Sequence, residues 1–262
     1  MAICHLTVKA VSRAAGRSSV ASAAYRAGET LTNERDGVTH RYEKRRGVEM
    51  AVIVAPSGCE WARDRSRLWN AAEAAEKRKD AKTAREYVLA LPHELDGAQR
   101  KALTMQFAES VVERFGVAAD VAIHAPGAEG DQRNHHVHIL TTTRVVEPDG
   151  LGAKTRQLDV STSAAKEIEA LRELWAMQCN EALERAGQEV RLDPRSYAEQ
   201  GLERVPGVHL GPTATAIERR EQSATEREGR AYQPRTQEGR KNADAAEKNR
   251  LLAIAKAMIE EA

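Results

Sequence analysis

Apolar residues recur along the chain with two periods, and each change of period marks a boundary between a strand and a helix. Alternation over residues 3–11 predicts a strand, followed by a polar turn through Ser12, Arg13, Gly16, Arg17 and Ser18. Ser18 or Ser19 can cap a short helix over residues 20–27 that Gly28 ends. Asp36-Gly37 is the turn signal of a hairpin over residues 31–43. Residues 48–55, 84–92, 117–126 and 135–144 read as further, more apolar strands. Helical spacing appears over residues 60–79, with Trp61, Leu68 and Trp69 on the apolar side. Another helix starts at the capping box Asp96 to Gln99, carries Leu103, Phe107 and Val111, and ends at Gly116. A further helix, over residues 163–186, carries Ile168, Leu171, Trp175 and Leu183 and stops at Gly187. Residues 154–159 read as a polar link and 190–212 as irregular and basic-polar. From residue 213 onward the charges are mixed and aromatics nearly vanish, as in a helical extension or linker outside the main core. The expected organisation is a main domain over 1–212 and a charged helical extension over 213–262.

A chain of 262 residues, 41% of them hydrophobic, can bury a substantial mixed α/β core. The net charge of +1 gives no overall argument for nucleic acid, but charge is unevenly spread. Met1 to Gly28 holds Lys9, Arg13, Arg17 and Arg26 and no acidic residue. Such a segment carries a positive field that attracts phosphates, unless it is only a solvated face. Cys4, Cys59 and Cys179 are odd in number and lack metal or disulfide spacing, which fits a reducing cytoplasm. The longest apolar run, residues 50–56, falls far short of the roughly 20 residues of a spanning helix, so no membrane role is expected.

The candidate chemistry centres on Asn134-His135-His136-Val137-His138. In a strand, His136 and His138 share one face and His135 turns to the other. His124 lies in the preceding strand, and the polar loop over residues 127–133 can fold it back beside them. Three imidazoles suit Zn, Mn, Ni or Fe and leave coordination positions open, which suggests catalysis; the bland alternative is a chance group of surface histidines. His5, His40, His93 and His209 belong to no cluster. Tyr25 is the only bulky side chain on its small-residue helix, so it either fills a core gap or meets a ligand that approaches closely. Glu86 is out of place in a buried strand without a partner: Arg85, another structural cation, or an imidazole held in one tautomer.

Several ordered blocks carry a resemblance: Met1 to Lys9, Ser12-Arg13, Gly16-Arg17-Ser18 and Ala21 to Gly28, then Ala84-Arg85-Glu86, Ala90-Leu91-Pro92 and His124-Ala125-Pro126. Asn134 to His138, Asp193 to Tyr197 and His209-Leu210-Gly211 follow. Together they resemble the MobA/MobL relaxases, plasmid mobilisation nucleases within the HUH endonucleases, over about residues 1–212. Cys4 departs from the pattern, where an aromatic is expected.

The resemblance implies an α+β fold: a central antiparallel sheet of about five strands with helices mainly on one face, plus the helical C-terminal extension. It implies that Tyr25 attacks a phosphodiester of single-stranded DNA at a plasmid origin of transfer, leaving a 5′-phosphotyrosyl link that can be religated. His124, His136 and His138 would hold a divalent metal (Mn, Mg or Zn), with Glu86 behind them as a support for a ligand or as a proton acceptor. A phenol ionises near about pH 10, so its attack needs a base or a field that favours phenolate. Lys9, Arg13, Arg17, Ser18 and Arg26 are the expected DNA contacts. The implied partners are single-stranded origin DNA with an adjacent hairpin or duplex, accessory relaxosome proteins and a coupling protein. Three other readings remain open: an HUH initiator of rolling-circle replication, a non-enzymatic DNA-binding protein with a structural metal, and a metallonuclease that activates water.

Overall fold

A computed structural model describes residues 5–128, 131–159 and 161–260. Ile3 and Cys4, which begin the first expected strand, lie outside these residues. The chain forms two compact units, Met1–Pro194 and Arg195–Ala262.

The strands of the first unit are β1 (Leu6–Ser12), β2 (Thr30–Asn33), β3 (Val38–Arg41), β4 (Val48–Val54), β5 (Lys82–Ala90), β6 (Ala119–His124), β7 (His136–Thr142), β8 (Arg144–Glu147) and β9 (Gly150–Lys154). Its helices are α1 (Ser19–Ala27), α2 (Arg65–Ala74), α3 (Gly97–Phe115) and α4 (Ser161–Arg185). Five strands build one sheet in the order β1-β5-β7-β6-β4, every neighbouring pair antiparallel. The five are those expected from the sequence pattern; their order is new.

The period of two sends alternate residues of the central strands to different cores. Val121, Ile123, Val137 and Ile139 pack on one face with Leu103, Phe107 and Val111 of α3 and Leu171 and Trp175 of α4. Phe107 and Trp175 meet edge to face at 5.1 Å. Leu140 and Ile53 point to the other face, against Val20, Ala23 and Ala24 of α1 and Leu68 and Trp69 of α2. The two longest helices of the unit thus share a face, and the short α1 and α2 take the face that also holds the histidines. Small residues on α1 allow it to lie close to the sheet. Ser18 caps it through its hydroxyl, and Gly28, at φ 70°, ends it in the left-handed region.

The helix expected over residues 60–79 is broken. Glu60–Arg63 is a single 3-10 turn, and α2 starts afresh after Asp64, whose carboxylate accepts from the Arg67 amide at 2.8 Å. Trp61 therefore lies outside α2, and its indole donates to the Glu147 carbonyl. Ahead of the expected polar link over 154–159, β8 and β9 pair as a hairpin, and the link itself holds a 3-10 turn, Arg156–Leu158.

In the second unit, α5 (Gly211–Glu228) and α6 (Gln237–Glu260) are helical as expected. Buried Glu218 accepts from the Tyr232 hydroxyl and from the Arg235 and Thr236 amides, fixing the turn into α6. Residues 195–210 fall within this unit rather than with the main domain ending at 212. The side chains of Asn249 and Asn242, on α6, bond both the amide and the carbonyl of Val205 and of Val208. Among the described residues no helix is long and apolar enough to cross a membrane.

Candidate metal centre and nucleophile

The sheet register assembles the histidines. His124 at the end of β6 lies directly opposite His136 at the start of β7, and His138 follows on the same face, opposite Ala122. Their rings stand 4.9 to 5.5 Å apart, and one nitrogen from each lies within 4.8 Å of the others. His135 precedes β7 and takes no part in the group.

Each ring is oriented by an acceptor on its outer side, which also fixes its tautomer. His136 Nδ1 donates to the Asn134 carbonyl at 3.0 Å, and His138 Nδ1 donates to Glu86 Oε1 at 2.7 Å. His124 Nε2 donates to the Arg26 carbonyl at 2.9 Å. That carbonyl belongs to the last turn of α1, where it has no partner within the helix. The lone pairs left over are Nδ1 of His124 and Nε2 of His136 and His138. Three converging imidazole nitrogens form a donor set that fits a small divalent cation with open positions. Burial pushes the His124 pKa down to about 4; the Arg26 carbonyl opposes the shift, and the charges of His138, Arg45 and His136 reinforce it. His136 is lowered for the same main reason. Both rings are therefore neutral, and able to ligate, at neutral pH.

Glu86 has two of the expected kinds of partner at once. Besides His138 it accepts from Arg26 Nε at 2.6 Å, whereas Arg85 points to the opposite face and bonds Thr155 and Asp159. Burial alone would raise its pKa, but the His138 hydrogen bond and the Arg26 cation outweigh it and hold the carboxyl at about 2. So acidic a group is a poor proton acceptor near neutrality, and its geometry is that of a brace for His138. Deeper on this face, buried Asp120 pairs with Arg65 and accepts from the Trp69 indole. Arg65 also reaches Glu29 just beyond α1, tying α1, α2 and β6 together.

Tyr25 does not plug the core. It is 45% exposed, and its ring edge meets Tyr42 at 5.2 Å. The guanidinium of Arg45 covers its face at 3.8 Å and also reaches His124 Nδ1 at 3.4 Å. One side chain thus connects the tyrosine ring to the imidazole group.

The MobA/MobL family model matches residues 17–220, which contain both the tyrosine and the three histidines. The chain belongs to the MobA/MobL family. Mobilization protein MobL of Acidithiobacillus ferridurans is 42% identical over 246 residues, covering 84% of this chain and 65% of its own length. A probable conjugal transfer protein TraA of Sinorhizobium fredii is 35% identical over 249 residues, of which this chain covers 22%. This MobA/MobL chain therefore spans less than two thirds of either relative. A solved structure concerning the molecular basis of vancomycin resistance transfer in Staphylococcus aureus superposes with a TM-score of 0.65 at 27% identity. It covers 74% of this chain and 98% of its own.

The five expected DNA contacts of this MobA/MobL protein have separate surroundings. Lys9 is exposed on β1, in register with Glu86, and Arg17 is exposed beside the start of α1. Ser18 caps α1. Arg13 is spent on structure: it bonds the Glu73 carboxylate and the Glu73, Glu76 and Arg78 carbonyls, with 8% of its side chain exposed. Arg26 is likewise committed to Glu86 and the Ser22 carbonyl. Both were expected to meet phosphate because their acidic partners are distant in sequence. Arg45 was not expected in the site; the signal for it is the basic run Lys44-Arg45-Arg46 just after the hairpin.

Proposed function

We propose that this chain is the nicking domain of a conjugative relaxase: it cleaves one strand of DNA at a plasmid origin of transfer through Tyr25. The observation that carries this reading is a half-exposed tyrosine tied through Arg45 to three converging imidazoles, in a MobA/MobL chain.

The Tyr25 oxygen forms a bond to phosphorus as the bond from phosphorus to the 3′ oxygen breaks. The products are a 5′-phosphotyrosyl protein and a 3′-hydroxyl, which can attack in turn and restore the strand. A divalent cation (Mn, Mg or Zn) held by His124, His136 and His138 would withdraw charge from the non-bridging phosphate oxygens. Glu86 and Arg26 hold His138 and His124 in the tautomers that leave those lone pairs free. The phenol proton passes to solvent, which reaches the exposed ring, because Glu86 is already engaged by Arg26 and His138. Lys9 and Arg17 contact flanking phosphates, which fixes position without reading sequence. The substrate is single-stranded origin DNA beside a hairpin or duplex, and accessory relaxosome and coupling proteins are further partners.

The test is a denaturing gel of wild-type and Tyr25→Phe protein with single-stranded cognate-origin oligonucleotides and Mn²⁺. The wild type should form a covalent adduct that the variant lacks. An undiminished adduct in the variant removes Tyr25 from the chemistry, and turnover without any adduct points instead to a hydrolytic metallonuclease.

A further inference from the structure

The loop between β3 and β4 is fastened at both ends. The Arg45 amide donates to the Tyr42 carbonyl at 2.9 Å, and the Ala125 amide, next to His124, donates to the Gly47 carbonyl at 2.8 Å. Gly47 takes φ 85°, a turn few other residues make cheaply. This anchoring holds Arg45 between α1 and the end of β6.

Three facts about Arg45 then combine. Its guanidinium lies 3.8 Å over the centre of the Tyr25 ring. Its Nη2 lies 3.4 Å from His124 Nδ1. Its Nε is buried with no hydrogen-bond partner among the described residues, a costly state for a strong donor. A guanidinium can only donate, so the acceptor must be the Nδ1 lone pair. The other nitrogen of His124 is already committed to the Arg26 carbonyl, so this lone pair is also the one His124 can offer a metal. A single lone pair cannot serve both.

We propose that Arg45 is a positioning residue displaced by the metal. Without metal it occupies the ligating lone pair of His124 and steadies the Tyr25 ring; when metal binds, the freed guanidinium turns its planar fork to the scissile phosphate. The unpartnered Nε supplies the second donor of that fork, and paired donors match two phosphate oxygens as a lysine cannot. Metal occupancy and substrate readiness are thereby coupled, because the cation that holds the nucleophile in reserve is released by the ion the reaction needs. The proposal rests on the reading of the triad as a metal site.

The test titrates Mn²⁺ into the chelator-stripped full chain by calorimetry, comparing wild type, Arg45→Ala and Arg45→Gln, and measures adduct rates at saturating Mn²⁺. Removing a competing charge-assisted donor and a like charge should tighten Mn²⁺ binding on the order of tenfold. The same variants should form adduct about tenfold more slowly at saturating Mn²⁺, having lost the paired donors to the phosphate. A residue that only stabilised the loop would do the opposite, loosening His124 and weakening the metal. Arg45→Gln retains side-chain bulk and carries the test if Arg45→Ala unfolds, with thermal midpoints as the check. Mn²⁺ affinity that is unchanged or weaker in the variants, or undiminished adduct formation, overturns the proposal. A wild type that binds no Mn²⁺ overturns instead the metal reading on which it rests.

Discussion

Replacing Glu86 by Gln removes one negative charge while keeping the side chain's shape. In the folded protein this carboxyl is held at about 2 against an ordinary 4.5 by its His138 and Arg26 partners. A folded pKa below the unfolded one means that the stabilisation is complete above pH 4.5 and fades as pH falls toward 2. The gap corresponds to at most about 3 kcal/mol at pH 7, and the same linkage leaves roughly 1.4 kcal/mol at pH 3. Only 6% of the Glu86 side chain and 14% of the Arg26 side chain are exposed, so solvent screens the pair little. The Gln carbonyl still accepts one hydrogen bond, which lowers the expected loss at pH 7 to roughly 2 kcal/mol. Urea denaturation of chelator-stripped wild type and Glu86→Gln at pH 7, 4 and 3 should show the difference shrinking with acidity. Loss of the brace on His138 should also weaken Mn²⁺ binding by about 10- to 100-fold in calorimetry. A stability difference equally large at pH 3 and pH 7 would refute the argument, because the loss would then come from packing rather than charge.

The two basic residues flanking the turn before α1 should separate cleanly. Arg13→Ala should cost about 3–5 kcal/mol in urea denaturation because it leaves the buried Glu73 carboxylate short of its partner. Arg17→Ala should leave the thermal midpoint unchanged and lower the salt slope of single-stranded DNA binding by about 1. His124, held at about 4 by burial, resists protonation in the folded state while the unfolded chain takes up a proton below its usual 6.5. Metal-stripped wild type should therefore lose up to about 3 kcal/mol between pH 7 and pH 4 from this group. A His124→Asn variant should lack that component in the same titration; an identical acid profile for both proteins would refute it.

Alternation over residues 3–11 and short apolar runs elsewhere were enough to find the five strands of the sheet, because a central strand that feeds two cores is apolar on both faces. Their order was not legible, since β1 pairs with β5 and β4 with β6 across long stretches of chain. Glu86 could be singled out because a carboxylate in an apolar strand needs a partner, and the strand period alone put His136 and His138 on one face. Arg13 and Arg45 show where this reasoning stops. Both lie in basic segments, yet Arg13 finds Glu73 on α2 and is consumed by it, whereas Arg45 is pinned over Tyr25 by a loop fastening absent from local sequence. Asp64 likewise split a helix that hydrophobic spacing drew as continuous. The asparagines of α6 drew residues 195–210 into the second unit through backbone contacts that no hydrophobic pattern encodes.

Arg26 is the residue immediately after Tyr25, and it touches two of the three imidazoles: its carbonyl holds His124 directly and its guanidinium holds His138 through Glu86. The end of α1 is therefore a mechanical linkage as well as the mount for Tyr25. A displacement of α1 that moved the Tyr25 phenol would strain the hydrogen bonds from Arg26 to His124 and Glu86, so the position of the phenol is coupled to that of the imidazoles. The nicking and religation proposed for this chain would both draw on that coupling, which comes from the carbonyl and the guanidinium of one residue, Arg26.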